Sequence, residues 1–281
     1  MIDLDRLIEQ ANELAPLPAS AVRLAQLVGE PDCHIKDVAE LIAFDQALTV
    51  KLLRAANSAF SASATPVGTV QEAVTRMGTA HVLALAIASG ARPLLQARVP
   101  AYGLDEGALW RHSVAAAVAA ETAPSFCHVQ VPPETFTAAL LHDVGKLVMG
   151  RFLSPEILSL IRRAQEIDHL SQLEVESVLL NVHHGELGGL IAQHWNLPPR
   201  VIQGIIYHHN PEQGLDVICD VTYLANQVAK RIEANLDGRR FDLAISPESA
   251  ERLGLTPKNL DNLCPIAASR YAQVSRRFNA V

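Results

Sequence analysis

The chain has 281 residues, 49% hydrophobic and only 5% aromatic, which is enough to bury a full core and long enough to divide into two lobes. With 23 Lys and Arg against 30 Asp and Glu, the net charge of −7 supplies no basic field for a nucleic-acid backbone, so no nucleic-acid partner is expected. Cys33, Cys127, Cys219 and Cys264 are far apart and form no Cys-x-x-Cys pair, which argues against a disulfide framework and a thiolate zinc site.

The chain opens with MIDLDRLIEQANELAPLP, an acidic amphipathic segment without the basic start and apolar run of a secretion signal. Nowhere do about 20 unbroken apolar residues occur, so no membrane association and a cytoplasmic location are expected. Helical apolar spacing dominates, long alternating runs are missing, and Ala and Leu are abundant; the expected fold class is all-α, with an aliphatic core. Short helices are predicted around 3–14, 19–28, 35–42, 46–56, 69–76 and 79–89, punctuated by APLP, GEPD and SASATPVGT. RVPAYGLDEG, near 98–107, is the predicted boundary of a two-lobed helical bundle, dividing residues 1–104 from 105–281. Asp105 is expected to cap the following helix, which carries His112.

In FTAALLHDVGKLVMG, a helical reading puts Phe136, Ala139, Leu140, Asp143 and Leu147 on one stripe, with His142 beside it. Further helices are predicted near 154–165 and 172–180. Asn181 is expected to end the second of these in the left-handed conformation, leaving His183 at the next N-terminus. A helix starting at the prolines of PPRVIQGIIYHH is expected to stop at Asn210-Pro211, and a longer one to cover 216–234.

The histidines are unevenly placed. His112, His142, His183, His184, His208 and His209 all fall in the second half beside apolar neighbours, whereas His34, His81, His128, His169 and His194 read as surface or packing residues. A buried histidine taken alone is usually satisfied by a carbonyl. Asp143 has Lys146 three residues on, but such a pair contributes only about a few tenths of a kcal/mol on a surface. Several imidazoles converging on a carboxylate in an apolar stripe meet the needs of a divalent cation instead. This ligation suits iron, manganese, cobalt, nickel or zinc, as one ion or two.

LLHDVGK, the earlier His112 and the HH at His208-His209 resemble the HD superfamily of metal-dependent phosphohydrolases. LPASAVRLAQLV, VAELIAFDQALTVKLLRAANSAF, VGTVQEAVTRMG, VHHGELGGLIAQHWNLPPRVIQGIIYHHNPE and VTYLANQVA are similar to a narrower group, the HDOD domain of bacterial signalling proteins, over roughly residues 10–235. The resemblance implies His112, His142, Asp143, His184, His208 and His209 as metal ligands, with Asn226 a weak one where catalytic members place an aspartate. His183 stands where the pattern often has Asp and is read as a helix cap or a neighbour of the ligands.

The usual Asp-Pro of the first lobe is Asp45-Gln46 here, and the Gly-Tyr-Pro element of cyclic di-GMP hydrolysing members is missing. The function implied is a regulatory module acting through contacts of the N-terminal lobe with signalling proteins. The alternative is an active metal-dependent phosphohydrolase on a nucleotide or other phosphate ester. In that case Asp143 and Lys146 would be the catalytic residues, with the ammonium stabilising phosphoryl charge.

Overall fold

A computed structural model describes residues 4–59, 66–153, 157–159, 161, 163 and 171–279. The fold is all-α. In chain order the helices are α1 Leu4–Asn12, α2 Ala19–Val28, α3 Ile35–Ala43, α4 Gln46–Ala59, α5 Val70–Met77, α6 Thr79–Leu95, α7 Ala108–Thr122, α8 Thr135–Leu141, α9 Gly145–Phe152, α10 Gln172–Leu180, α11 His184–His194, α12 Pro199–Ile206, α13 Pro211–Gly214, α14 Val217–Leu236, α15 Pro247–Leu253 and α16 Pro257–Asn279. Among the described residues the only extended pairing is one isolated antiparallel bridge, Val99 to Leu104. Most of the helix predicted near 154–165, His169, and Phe60 of NSAF lie outside the described residues.

Local chemistry explains many of the helix boundaries. Thr69 caps α5 by accepting from the Glu72 N–H at 3.2 Å, and Ser171 with Glu174 forms a reciprocal cap on α10. Asn181 (φ 56°) closes α10 in the left-handed region, and His183 accepts from the Gly185 N–H at 3.1 Å to start α11.

Four details depart from the sequence reading. Helix α6 runs to Leu95 rather than 89, carrying Pro93 inside its last turns. Helix α7 begins at Ala108, with Gly107 (φ 73°) as its N-cap; the Asp105 side chain instead faces Arg98 at 3.4 Å. Helix α12 stops at Ile206, so His208 and His209 lie in the turn beyond it.

The fourth departure matters most for the site. The predicted continuous helix over 136–150 is broken at His142–Val144 into α8 and α9, with Lys146 N–H bonded to the Asp143 carbonyl (3.0 Å) and Leu147 N–H to that of Val144 (3.1 Å). The i to i+3 bonding tightens the turn and rotates the helix that follows. Its backbone then meets α11 directly: a Cβ on Gly145 would lie 2.0 Å from the His184 carbonyl oxygen and 2.7 Å from the Gly188 nitrogen. Only glycine permits that approach.

Helix α7 packs against α8, α14 and α16, while α11 packs on α9 and α12, and α12 on α8 and α14. Helix α1 folds back onto α9 and α11. The buried cluster is aliphatic, dominated by Leu, Ile, Val and Ala. Helices α7, α8, α11, α12 and α14 therefore bring five separated stretches of sequence around one polar point in that core.

Candidate metal centre

The polar point is Asp143, 2% exposed, surrounded by imidazoles. His184 Nε2 lies 3.2 Å from Asp143 Oδ1 and His208 Nε2 lies 3.8 Å from it; His142 Nε2 is 3.4 Å and His112 Nε2 3.7 Å from Oδ2. His209 Nε2 is 3.0 Å from His184 Nε2. His142, His184 and His208 are buried, and His112 and His209 are partly so. All six histidine and aspartate residues implied as ligands are thus gathered, in two neighbouring groups: His112, His142 and Asp143, and His184, His208 and His209.

The other nitrogen of four rings is committed. His142 Nδ1–H donates to the Ala139 carbonyl and His208 Nδ1–H to that of Ile205, both at 2.7 Å. His184 Nδ1–H donates to Glu176 Oε2 at 2.6 Å and His112 Nδ1–H to Glu233 Oε2 at 3.1 Å. In the neutral rings each Nε2 is then a lone pair aimed inward. The lone pairs are crowded: His184 Nε2 stands 3.3 Å from His208 Nε2. His142 Nε2 and Asp143 Oδ1 are both buried without an aligned hydrogen-bond partner. Buried acceptors facing one another are unfavourable unless a positive charge sits among them. Nitrogen donors with fixed tautomers around one carboxylate are what a divalent transition metal requires.

The electrostatics agree. Burial holds the His142 and His208 imidazoles below their ordinary value, and His208 well below, aided by His209. Burial, with His184 next, pushes His209 down to about 2. Neutral imidazoles are the metal-binding form. Burial would raise the Asp143 carboxyl, but Lys146 and then His142 outweigh it and keep it ionised, well below the usual carboxylate range. At His184 burial and Lys146 act downward, and hydrogen bonds to Asp143 and Glu176 reverse the sign, leaving this imidazole above its ordinary value.

Lys146 Nζ is 2.6 Å from Asp143 Oδ2, so the local ion pair exists alongside the imidazole cluster. Asn226, buried on α14, places Oδ1 3.2 Å from His112 Nε2 and adds no charge. His183 stays outside the cluster, with its ring spent on capping α11. Sequence reasoning missed the residues that orient the ligands: Glu176, Glu233 and Tyr102, whose hydroxyl donates to Glu176 Oε1 at 2.9 Å. A signal for Glu176 existed, since Leu173, Glu176 and Leu180 share a helical stripe just as Asp143 shares one with leucines.

Comparison with known proteins places the chain in a family. The family model of the HDOD domain matches residues 14–211. The chain belongs to the HDOD domain family. A relative of this HDOD chain is an uncharacterized protein of Treponema pallidum (strain Nichols), 26% identical over 220 residues, covering 76% of this chain and 42% of the relative. The HDOD chain thus spans less than half that relative's length.

Among solved structures, a protein named a putative phosphohydrolase from Shewanella amazonensis SB2B is 26% identical, with a TM-score of 0.65 over 94% of this chain and 93% of that one. An HDOD domain protein from Geobacter sulfurreducens shares the fold at 21% identity and a TM-score of 0.66, covering 97% of each chain. A protein named a putative signal transduction protein from Marinobacter aquaeolei VT8 shares it at 23% and 0.72, covering 98% of this HDOD chain and 64% of that one. Among the described residues, no helix is long and apolar enough to cross a membrane.

Proposed function

We propose that this chain is a regulatory HDOD module of bacterial signalling that holds a divalent transition metal through His112, His142, Asp143, His184, His208 and His209 and acts through protein contacts. Residues 1–104 make those contacts and residues 105–281 carry the cation. The observation that carries the reading is Asn226: on α14, facing His112 at 3.2 Å, a neutral amide stands where hydrolytic relatives of the resembled superfamily place a carboxylate. One carboxylate among five imidazoles favours binding an ion while supplying only a single negative charge to neutralise it. Lys146 supports the same reading, because its ammonium is engaged by Asp143 rather than free for an incoming phosphate.

The second reading, a phosphohydrolase, is favoured by the completeness of the nitrogen donor set. A bound divalent cation would supply Lewis acidity toward a phosphoryl oxygen and lower the pKa of water. The residues' part would be to hold that ion and, for Lys146, to release Asp143 and meet the phosphate.

The test is to load the purified protein with Mn2+, Fe2+, Co2+, Ni2+ or Zn2+ and verify occupancy by elemental analysis. It is then assayed on bis-p-nitrophenyl phosphate and a nucleotide panel, in parallel with the signalling output of cells carrying His184→Ala. Occupancy without turnover, and output changed by His184→Ala, is the expected result. Turnover lost in ligand variants that keep the signalling output would overturn the regulatory reading.

A further inference from the structure

The connection from α6 to α7 is not a slack linker. Val99 and Leu104 exchange backbone hydrogen bonds, Val99 N–H to the Leu104 carbonyl at 2.9 Å and Leu104 N–H to that of Val99 at 3.1 Å. Gly103, at φ 67°, turns the chain between them. The resulting strap carries Tyr102 at the end of the short 3-10 turn Pro100–Tyr102. Its hydroxyl reaches Glu176 Oε1 at 2.9 Å, and Glu176 is fully buried. The other oxygen of Glu176 accepts twice from His184, from the backbone N–H at 2.8 Å and from Nδ1–H at 2.6 Å.

The Tyr102 ring also lies 5.7 Å from Lys146 Nζ, which holds Asp143. One strap residue therefore touches the supports of two cation-facing groups, Glu176 behind His184 and Lys146 on Asp143.

The strap itself rests against α9. A Cβ on Gly150 would lie 2.6 Å from Val99 Cγ1, so the two surfaces are in close contact there. Beside that contact is a cavity of about 230 Å3, lined by Leu14, Leu94, Val99 and Leu147 with Arg98 and Arg151. Space on one side of Val99 gives the strap somewhere to go when it is pushed.

We infer that the strap Val99–Leu104 sets the affinity of the cation centre, with Tyr102 and Glu176 as positioning residues that hold His184 in the tautomer and orientation that present Nε2 inward. The inference rests on the cation reading of the site and adds its control. A strap in place keeps Glu176 fixed and His184 competent; a displaced strap lets Glu176 rotate and weakens the ion's hold. By linkage, a bound ion stiffens the strap to the same extent.

The experiment uses the full chain, stripped of metal and titrated with Zn2+ against a chromophoric chelator, with Co2+ absorption as a report on coordination. Tyr102→Phe removes only the hydroxyl, Glu176→Gln alters the acceptor, and Gly150→Ala pushes on the strap, chiefly at Val99 (2.6 Å) and at ordinary contact distance on Tyr102 (3.9 Å), without touching any ligand. Tyr271→Phe is the remote control. Expected are a loss of about tenfold in Zn2+ affinity for Tyr102→Phe, roughly 10–100-fold for Glu176→Gln, and a loss in the same direction for Gly150→Ala, with shifted Co2+ bands and no change in Tyr271→Phe.

In the wild type, Zn2+ should slow hydrogen exchange at the Val99 and Leu104 amides. Wild-type affinity and spectrum in both Tyr102→Phe and Gly150→Ala would overturn the strap inference and leave the cation reading standing. A wild-type protein that binds none of Zn2+, Co2+ or Mn2+ at the cluster would overturn both.

Discussion

His184 Nε2 and His208 Nε2 face each other at 3.3 Å while their Nδ1 atoms are held by Glu176 and the Ile205 carbonyl. The pair gains nothing from this closeness in its neutral form, so its occupant should contribute strongly to stability. Adding Zn2+ or Mn2+ at about a hundred times its Kd should stabilise the wild type by about 2.7 kcal/mol. His208→Ala should abolish that gain while leaving the metal-free protein no less stable than about 1 kcal/mol below wild type, since the crowding is relieved too. Thermal unfolding with and without metal after chelation measures both. An equal metal-dependent gain in His208→Ala would place the ion elsewhere.

Asn226→Asp should convert the His112 side into a full cation position. The first group of donors would then have two carboxylates, Asp143 and the new aspartate, and elemental analysis should rise toward two ions per chain. Without metal the same variant should lose about 1–3 kcal/mol, because a further acidic group is placed at a buried position. Stoichiometry unchanged in Asn226→Asp would mean that the missing carboxylate is not what limits that position.

Arg252 ties α15 to α14 by gripping buried Asp220, with Nη2 2.6 Å from Oδ1 and Nε 2.9 Å from Oδ2, and Ser249 Oγ–H donating to Oδ1 at 2.6 Å. Arg252→Ala strands the carboxylate and should cost about 3 kcal/mol in urea unfolding, whereas Asp220→Asn with Arg252 retained should cost less. Similar costs for the two would show that the stranded charge is not the main term.

His81 on α6 lies 2.9 Å from Glu121 on α7, with Arg270 of α16 also on Glu121 at 3.1 Å. The hydrogen bond to Glu121 raises His81 above 6.5 despite burial; burial would raise Glu121, but His81 reverses it, and the carboxyl falls below 4.5. The His81 contribution is full below about pH 6.5 and is lost as pH rises through its raised folded value. The Glu121 contribution is present above about 4.5 and is lost as pH falls through its depressed one. The pair therefore contributes most between these values, and modestly, since the His81 side chain is 56% exposed. NMR titration should show His81 above 6.5 and its return toward that value in Glu121→Gln. A wild-type His81 titrating at or below 6.5 would refute the pairing.

The all-α class and the order of helices were legible from apolar spacing, which also drew attention to the second-half histidines, His183 among them; it was the resemblance to the HDOD domain that narrowed them to His112, His142, Asp143, His184, His208 and His209, the six that the structure gathers. The break at His142–Val144 was not legible: it is imposed by the approach of Gly145 to the His184 carbonyl, a contact 39 residues distant in sequence. Spacing alone cannot reveal which helix will arrive at a glycine. Glu233 was hidden for another reason, since near the end of α14 it reads as one of several exposed polar positions. Tyr102 was read only as part of a boundary, and its hydroxyl acquires meaning once α10 is folded beside it.

The tautomer locks come in two chemical kinds, and they are distributed evenly. In the first donor group His112 is backed by the Glu233 carboxylate and His142 by a peptide carbonyl; in the second His184 is backed by Glu176 and His208 by a peptide carbonyl. A carboxylate draws the Nδ1 proton toward itself and makes the opposite nitrogen a more basic donor, while an amide oxygen does so less and never titrates. Each half thus owns one strong and one moderate imidazole. The two imidazole pairs are near electronic twins, and the inequality of the groups comes down to what lies outside the match: His209 on one side, Asp143 with its Lys146 and the neutral Asn226 on the other.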